Sequence, residues 1–367
     1  MKKLALTDEN LYYVGGIVRD EILNKDCFDI DLTYQGDAIE FCKKLEQDGI
    51  GRILQINEPF RTVKFLANGE EIDIASTRDE IYTQKGHLPI VSNIGCELKL
   101  DVLRRDFTIN ALAKSTKTNE IVDYVNGLED IKNRILRILH DGSFIDDPTR
   151  IVRGLKFSVR FGFELDKHTQ KLQEEYLNKV NYDMSQKRLK KELMETFNLN
   201  LQLAYEKFFE QKIYKLLTNK EITPPEYDIQ KLAEKYPVKN IWLVYIGWMD
   251  LSNLPLTKEE QKIIDDYKML ISAEVEDNNY SIYKNFENKS KEAILLYTIV
   301  SGQNYGLKYF EIADIKIALT GDDLQKLGIK PSKEYTECFE YILKNKLSNP
   351  EMNKIDELKL AKEFFNI

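Results

Sequence analysis

The sequence contains only three histidines, His87, His140 and His168, and four scattered cysteines, Cys27, Cys42, Cys96 and Cys338. None is spaced as a metal ligand, which excludes a metal centre built from imidazoles or thiolates. The sparse, unpaired cysteines fit a reduced, cytoplasmic protein. Runs of 18 or more apolar residues are absent, so no membrane span is expected. The segment Met1–Asn10 turns polar too soon for a signal peptide. An excess of positive charge is also missing, since 53 Lys and Arg stand against 61 Asp and Glu for a net charge of −8. Bulk charge therefore does not announce a nucleic-acid partner. It does not exclude one either, because such binding depends on where the cations lie. Internal repeats and low-complexity tracts are lacking as well.

What is present divides in two. The 367 residues are enough for two or three domains. Residues 1–138 read as mixed α/β, with strands expected at Leu11–Val14, Cys27–Thr33, Arg52–Ile56, Thr62–Leu66 and Glu71–Ser76. Asn68-Gly69 predicts a hairpin turn between the last two, and Asp37–Glu46 has helical spacing. Arg78–Leu100 shows little periodicity and reads as a long functional loop. After about residue 138 the strand signals fade. Helices are expected over Pro148–Phe161, His168–Val180 and Ser185–Leu201, and 202–367 stays helical, with breaks at Thr223-Pro224-Pro225 and Ser252–Pro255.

Four constellations carry chemistry. The first is Val14-Gly15-Gly16-Ile17-Val18-Arg19-Asp20 followed by Asp29-Ile30-Asp31. Glycines let backbone amides approach a phosphate. Acids two apart on a strand share a face and repel unless a cation lies between them. A bare Asp-x-Asp is common at strand ends, and the upstream glycine pair gives it a triphosphate context. Asp73 is a candidate third carboxylate from a neighbouring strand. The second constellation is Arg104-Arg105-Asp106-Phe107-Thr108-Ile109-Asn110. Asp106 is expected to cap a helix starting at Phe107, bringing Asn110 near it and two arginines to an anion site. The third is Asp146-Asp147-Pro148-Thr149-Arg150-Ile151-Val152-Arg153, where Asp147, Arg150 and Arg153 step by three along a helix start. The bland reading is an exposed intrahelical ion pair worth about 0.3–0.5 kcal/mol. The alternative is base reading: a carboxylate accepts and a guanidinium donates, so one Asp beside one Arg suits the pairing edges of cytosine and adenine over uracil and guanine. The fourth, Ser185–Leu193, is a basic helix start with Arg188 and Glu192 as candidate support.

In this order, these stretches resemble the bacterial-type (class II) tRNA nucleotidyltransferase and poly(A) polymerase family. Its Gly-Gly…Arg-Asp…Asp-x-Asp motif is similar to Gly15, Gly16, Arg19, Asp20, Asp29 and Asp31. Its Arg-Arg-Asp-x-x-x-Asn-Ala motif resembles Arg104–Ala111, and its glycine-containing hinge resembles Asp123–Asp130 with Gly127. Its Glu-Asp-x-x-Arg template resembles Asp146–Arg150, with Asp in place of the first Glu. Its last motif, Glu-Arg followed by Glu, reads Lys187-Arg188 and Glu192 here. The resemblance covers residues 11–200.

That resemblance implies an α+β, polymerase-beta-like nucleotidyltransferase head with a small mixed sheet (1–138), a helical neck carrying the base template (139–200), and a helical body and tail that bind tRNA (201–367). It implies template-independent addition of CCA to tRNA from CTP and ATP with release of pyrophosphate. Asp29 and Asp31 are expected to hold two magnesium ions and do the chemistry. Gly15, Gly16, Arg19, Arg105, Asp106, Asn110, Asp147, Arg150 and Arg153 are expected to bind the nucleotide. The tRNA partner is gripped by its acceptor stem and top half, and no protein partner is identifiable. Addition of CC alone or A alone are the nearest alternatives. A poly(A) polymerase follows, disfavoured because Leu54–Phe60 lacks that group's basic signature. Last comes a tRNA-binding protein on an inactive head, which the intact acid pair opposes.

Overall fold

The structure is a computed structural model that describes residues 6–27 and 29–367. Phe28, inside the stretch expected as the second strand, lies outside the described residues. Contacts divide the chain into two units, one of residues 1–221 with 253–255 and one of 222–252 with 256–367.

The first unit is built on a seven-stranded mixed sheet in the order β3-β4-β5-β2-β1-β8-β9. Its strands are β1 (Leu11–Val14), β2 (Ile30–Tyr34), β3 (Arg52–Asn57), β4 (Thr62–Ala67), β5 (Glu70–Ser76), β8 (Leu112–Ser115) and β9 (Ile121–Asp123). Only β2 and β5 run parallel. Every second residue of β4 and β5, including Val63, Phe65, Ile72 and Ile74, is fully buried, as period-two patterning requires. Asn68 and Gly69 both take positive φ, +53° and +80°, the conformation of the tight hairpin turn between them.

Helices α1 (Gly16–Ile22) and α2 (Ala38–Gln47) follow β1 and β2. The Asp37 carboxylate caps α2 by accepting from the amides of Ile39 and Glu40. The stretch 78–100 is not a structureless loop. It forms the antiparallel ribbon β6 (Arg78–Ile81) and β7 (Ile90–Ile94), then enters α3 (Leu98–Leu103). Its outward residues, such as Ile81, Leu88 and Ile90, are exposed, which blunts the periodicity that a sheet with one buried face would print on the sequence.

Beyond the head come α4 (Gly127–Asn133), α5 (Ser143–Asp146), α6 (Thr149–Phe161), α7 (Lys167–Leu177), α8 (Gln186–Phe197) and α9 (Gln202–Glu210). A two-residue parallel pair, β10 (Ile135–Leu136) with β11 (Glu164–Leu165), interrupts the helices and was too short to read from sequence. Gly127 is set by close approach: a Cβ there would come within 2.4 Å of the Thr108 carbonyl, so only glycine lets α4 pack on the Asp106–Asn110 segment.

The second unit is entirely helical among the described residues, from α10 (Ile229–Lys235), α11 (Ile241–Ile246), α12 (Lys258–Ser272), α13 (Asn279–Phe286), α14 (Lys291–Ser301) and α15 (Tyr305–Ile312) to α16 (Gly321–Lys326), α17 (Glu334–Ser348) and α18 (Lys354–Phe365). Five consecutive residues of α11, Trp242 to Ile246, are 0% exposed, marking the centre of this bundle. A second cluster joins Leu319, Leu324, Cys338, Ile342 and Ala361. No described helix is long and apolar enough to cross a membrane.

Candidate active site

The first unit contains an open cleft of about 410 Å³ that gathers most of the singled-out residues. Gly15, Gly16, Arg19, Asp31, Arg105, Asp106, Asn110, Asp147, Arg150, Arg153 and Arg188 all line it. Eight basic side chains face four carboxylates in this lining, so a chain of net charge −8 has a locally cationic hollow. That is the electrostatic profile of a polyanion site.

The glycine turn comes first. Gly15 sits at φ +71° between β1 and α1, and the position a Cβ would take lies 3.2 Å from Arg105 Nη1. A side chain there would be strained and would press on that guanidinium. One turn into α1, Arg19 is buried. Its Nε donates to Asp20 Oδ1 at 2.8 Å and its Nη1 to Asn110 Oδ1 at 2.6 Å. The rings of Phe157 and Phe161 lie 5.1 and 4.5 Å from its guanidinium.

Asp31 lies on β2 in register with Asp73 on the parallel strand β5, whose carboxylate is met by Lys64 Nζ at 3.2 Å. Asp29 falls just before β2, so the strand argument for a shared face covers Asp31 and Asp73 rather than Asp29 and Asp31, and both Asp29 and Asp31 are exposed. Burial against the cleft wall raises the Asp31 carboxyl above its ordinary value, while Arg105 lowers it and Asp73 and Asp29 push it further up. Water still reaches the side chain, so that shift is moderated by solvent. Neither Asp29 nor Asp73 lines the cleft. Among the described residues, no three His, Cys, Asp or Glu side chains form a group that could hold a metal ion.

The Arg-Arg-Asp segment differs from the expected capped helix. Phe107 is extended, and only a single 3₁₀ turn, Thr108–Asn110, follows. Asp106 uses Oδ1 to accept from the Phe107 amide at 2.8 Å and the Asn110 amide group at 3.0 Å, and Oδ2 to accept from Arg153 Nε at 2.7 Å. Without a helix N-terminus here, the anion-binding character rests on the side chains. Asp101, on α3, holds both arginines: Arg104 Nη2 at 2.7 Å and Arg105 Nη2 at 3.0 Å. Arg105 Nε is buried and has no hydrogen-bond partner among the described residues. Burial alone would raise the Asp106 carboxyl, but Arg153, the Asn110 amide and Arg150 outweigh it and hold the group well below the usual carboxylate range.

The template segment also departs from the simple ion pair. Asp147 and Arg150 are both 4% exposed, yet they do not pair with each other. Asp147 accepts from the Thr149 hydroxyl at 2.6 Å and from Arg188 of α8. Arg150 donates to Ser143 Oγ at 2.6 Å, to the Arg104 carbonyl at 3.0 Å and toward the Tyr82 hydroxyl at 3.4 Å. Arg153 bridges Asp106 to Glu192 at 3.2 Å, and Lys156 meets Glu192 at 2.7 Å. Glu192 thus stands behind the cleft and steadies its cations. Arg188 Nη1, like Arg105 Nε, is buried and has no hydrogen-bond partner among the described residues.

Sequence reasoning missed Asp101, Glu80 and Tyr82. Asp101 carried a usable signal, standing three and four residues before Arg104 and Arg105 at helical spacing. Glu80 and Tyr82 carried none, because they sit in the stretch read as a loop.

The chain is similar to known proteins in both sequence and fold. Residues 11–137 match the poly(A) polymerase head domain family. The chain is 28% identical to an A-adding tRNA nucleotidyltransferase of Halalkalibacterium halodurans, over 97% of this chain and 89% of that protein. It is 39% identical to an A-adding tRNA nucleotidyltransferase of Aquifex aeolicus over 46% of this chain but only 20% of that longer protein. Among solved structures, a CCA-adding enzyme superposes with a TM-score of 0.78 at 24% identity, covering 97% of this chain and 92% of the other. The Thermotoga maritima CCA-adding enzyme complexed with tRNA does so with a TM-score of 0.73 at 24% identity, covering 97% and 90%. Residues 11–137 are thus similar to the poly(A) polymerase head domain, the chain as a whole is similar in sequence to A-adding tRNA nucleotidyltransferases, and its fold, a mixed-sheet head followed by a largely helical region, is similar to that of CCA-adding enzymes.

Proposed function

We propose that this chain extends the 3′ end of tRNA with C and A, using CTP and ATP as donors and releasing pyrophosphate. The observation that carries the reading is the convergence of the Gly15-Gly16 turn, Asp31, and the buried Asp147 and Arg150 in one cationic cleft. We keep the division into head (1–138), neck (139–200) and body with tail (201–367) as part of this proposal.

In this reading the triphosphate lies against the Gly15-Gly16 backbone, with the guanidinium groups of Arg19 and Arg105 neutralising its charge. Asn110, fixed between Asp106 and Arg19, contacts the ribose. Asp147 and Arg150 read the base: the carboxylate accepts from the amino group of C or A, and the guanidinium donates to the neighbouring ring acceptor. The RNA 3′-oxygen bonds to the α-phosphorus as the bond to the α–β bridging oxygen breaks. Pyrophosphate leaves with that electron pair, and the hydroxyl proton passes to water in the open cleft. Asp29 and Asp31 offer the hard oxygen donors that magnesium prefers, and two such ions bound there would supply charge neutralisation at the attacking and leaving oxygens. The helical body would grip the tRNA backbone, making binding salt-sensitive.

A second reading, addition of the terminal A alone, is favoured by the names of the two relatives above. One experiment separates them. Three tRNAs, ending before CCA, after C and after CC, are incubated with CTP, ATP or both, and the ends are sequenced. Full CCA on the first substrate supports the first reading; extension of only the CC-ended tRNA, and only by A, supports the second. No extension of any of them sinks both.

A further inference from the structure

Tyr82 follows directly on β6, lines the cleft, and belongs to none of the motifs above. Its hydroxyl lies 3.4 Å from Arg150 Nη2, while Ser143 and the Arg104 carbonyl take the other contacts of that guanidinium. The segment bearing Tyr82 is fastened to the two stretches that bear Asp147 and Arg188. The Gly86 amide donates to the Asp146 carbonyl at 3.0 Å, and the Ser185 amide donates to the Gly86 carbonyl at 3.0 Å. Lys85 binds the Asp146 carboxylate. His87 Nε2 meets Asp183 Oδ1 at 3.0 Å, and Gln84 reaches the same carboxylate at 3.1 Å. Tyr82 is therefore held in place relative to the base-reading pair by bonds made two to five residues after it.

The cleft lining has two aromatic residues, Tyr82 and Phe157. The ring of Phe157 is already taken, with Arg19 and Arg153 guanidinium carbons 5.1 and 5.6 Å from its centroid. No ring or cation contacts the Tyr82 ring among the described residues. An aromatic side chain that lines the cleft beside a buried base-reading pair suits a nucleobase, since every base offers a π-face.

We infer that Tyr82 is a specificity-determining residue: its ring stacks on the incoming base, and its hydroxyl fixes the rotation of the Arg150 guanidinium against that base. This rests on the template reading proposed above. The ring acts on all bases alike, while the hydroxyl acts on choice.

The test uses the full chain with Tyr82→Phe, Tyr82→Leu and Tyr82→Ala. Equilibrium binding and single-turnover incorporation are measured for ATP, CTP, GTP and UTP. Leu and Ala should weaken binding of every nucleotide by about ten- to a hundredfold, the scale of lost base–aromatic stacking. Phe should restore affinity to within about twofold yet lower the preference for ATP over GTP by about three- to tenfold, the scale of one long hydrogen bond. Affinity restored by Leu as well as by Phe would overturn the stacking role. Unchanged selectivity in Tyr82→Phe would overturn the hydroxyl's role. A wild-type chain that takes all four bases equally would overturn the template reading together with this inference, whereas a selective wild type indifferent to all three changes overturns this inference alone.

Discussion

The two units handle buried charge in opposite ways. In the helical unit, buried carboxylates satisfy backbone. Glu357, 0% exposed, accepts from the amides of Ala318 and Leu319 at 2.7 Å each, with Lys346 alongside. Asp266 accepts from the Ser290 amide at 3.0 Å, and Glu260 closes the capping box that starts α12. Each holds a helix start or a chain turn in place. In the first unit, buried carboxylates such as Asp106 also accept from backbone, but there Asp101, Asp106, Asp147 and Glu192 are matched chiefly to guanidinium groups. Among the described residues, they also leave one guanidinium nitrogen each of Arg105 and Arg188 without a hydrogen-bond partner. Capped carboxylates stabilise a fold. Cations crowded around an open cleft with spare donors are arranged for a ligand, at a cost that the apolar cores must offset.

The comparison can be broken most sharply at Asp31. Asp31→Ala is expected to lower nucleotide incorporation by at least about a thousandfold, beyond the loss typical of removing one electrostatic stabiliser, while the urea midpoint and tRNA binding stay near wild type. Surviving turnover would mean that the chemistry lies elsewhere. Next come two stability changes of opposite functional consequence. Glu357→Ala strands Lys346 and two amides, and should cost about 3–5 kcal/mol with activity per folded molecule unchanged. Arg153→Ala should cost about 3 kcal/mol, because Asp106 keeps its bonds to Phe107 and Asn110, and should also lower incorporation. Denaturant titration beside activity assays separates the two, and equal loss of activity per folded molecule in both would erase the distinction drawn here.

Arg150→Ala should relax the choice of C and A over U and G by about 1–3 kcal/mol, read as the ratio of kcat/KM values among nucleotides. The smallest effect concerns acid. The Asp106 carboxyl is depressed in the folded chain, so its stabilising contribution is fully present above the unfolded aspartate value. That contribution fades as pH falls from about 4 toward the folded value. Urea midpoints between pH 6 and 3 should drop less steeply in Arg153→Gln than in wild type, and parallel slopes would contradict that account.

Much of the head was legible because its strands bury one face. Leu11–Val14 appears with the bounds expected of it, and Thr62–Ala67 and Glu70–Ser76 differ from expectation by a single residue. The β6–β7 ribbon was not legible, since neither face is well buried and alternation leaves no trace. The Asp106 segment misled for another reason. Its apolar run Phe107–Ala113 resembles a helix, but Asp106 spends its carboxylate on Arg153, forty-seven residues away, and the chain turns into β8 instead.

The sequence by itself determined the chemical inventory: a glycine turn, hard carboxylates, and an Asp and Arg at one helical spacing. Spacing along a chain specifies what neighbours in sequence can do together. Only the tertiary structure decided the pairings, because electrostatic energy depends on distance in space. It assigned Asp147 to Arg188 rather than to Arg150, put Asp73 beside Asp31, and brought Tyr82 to Arg150.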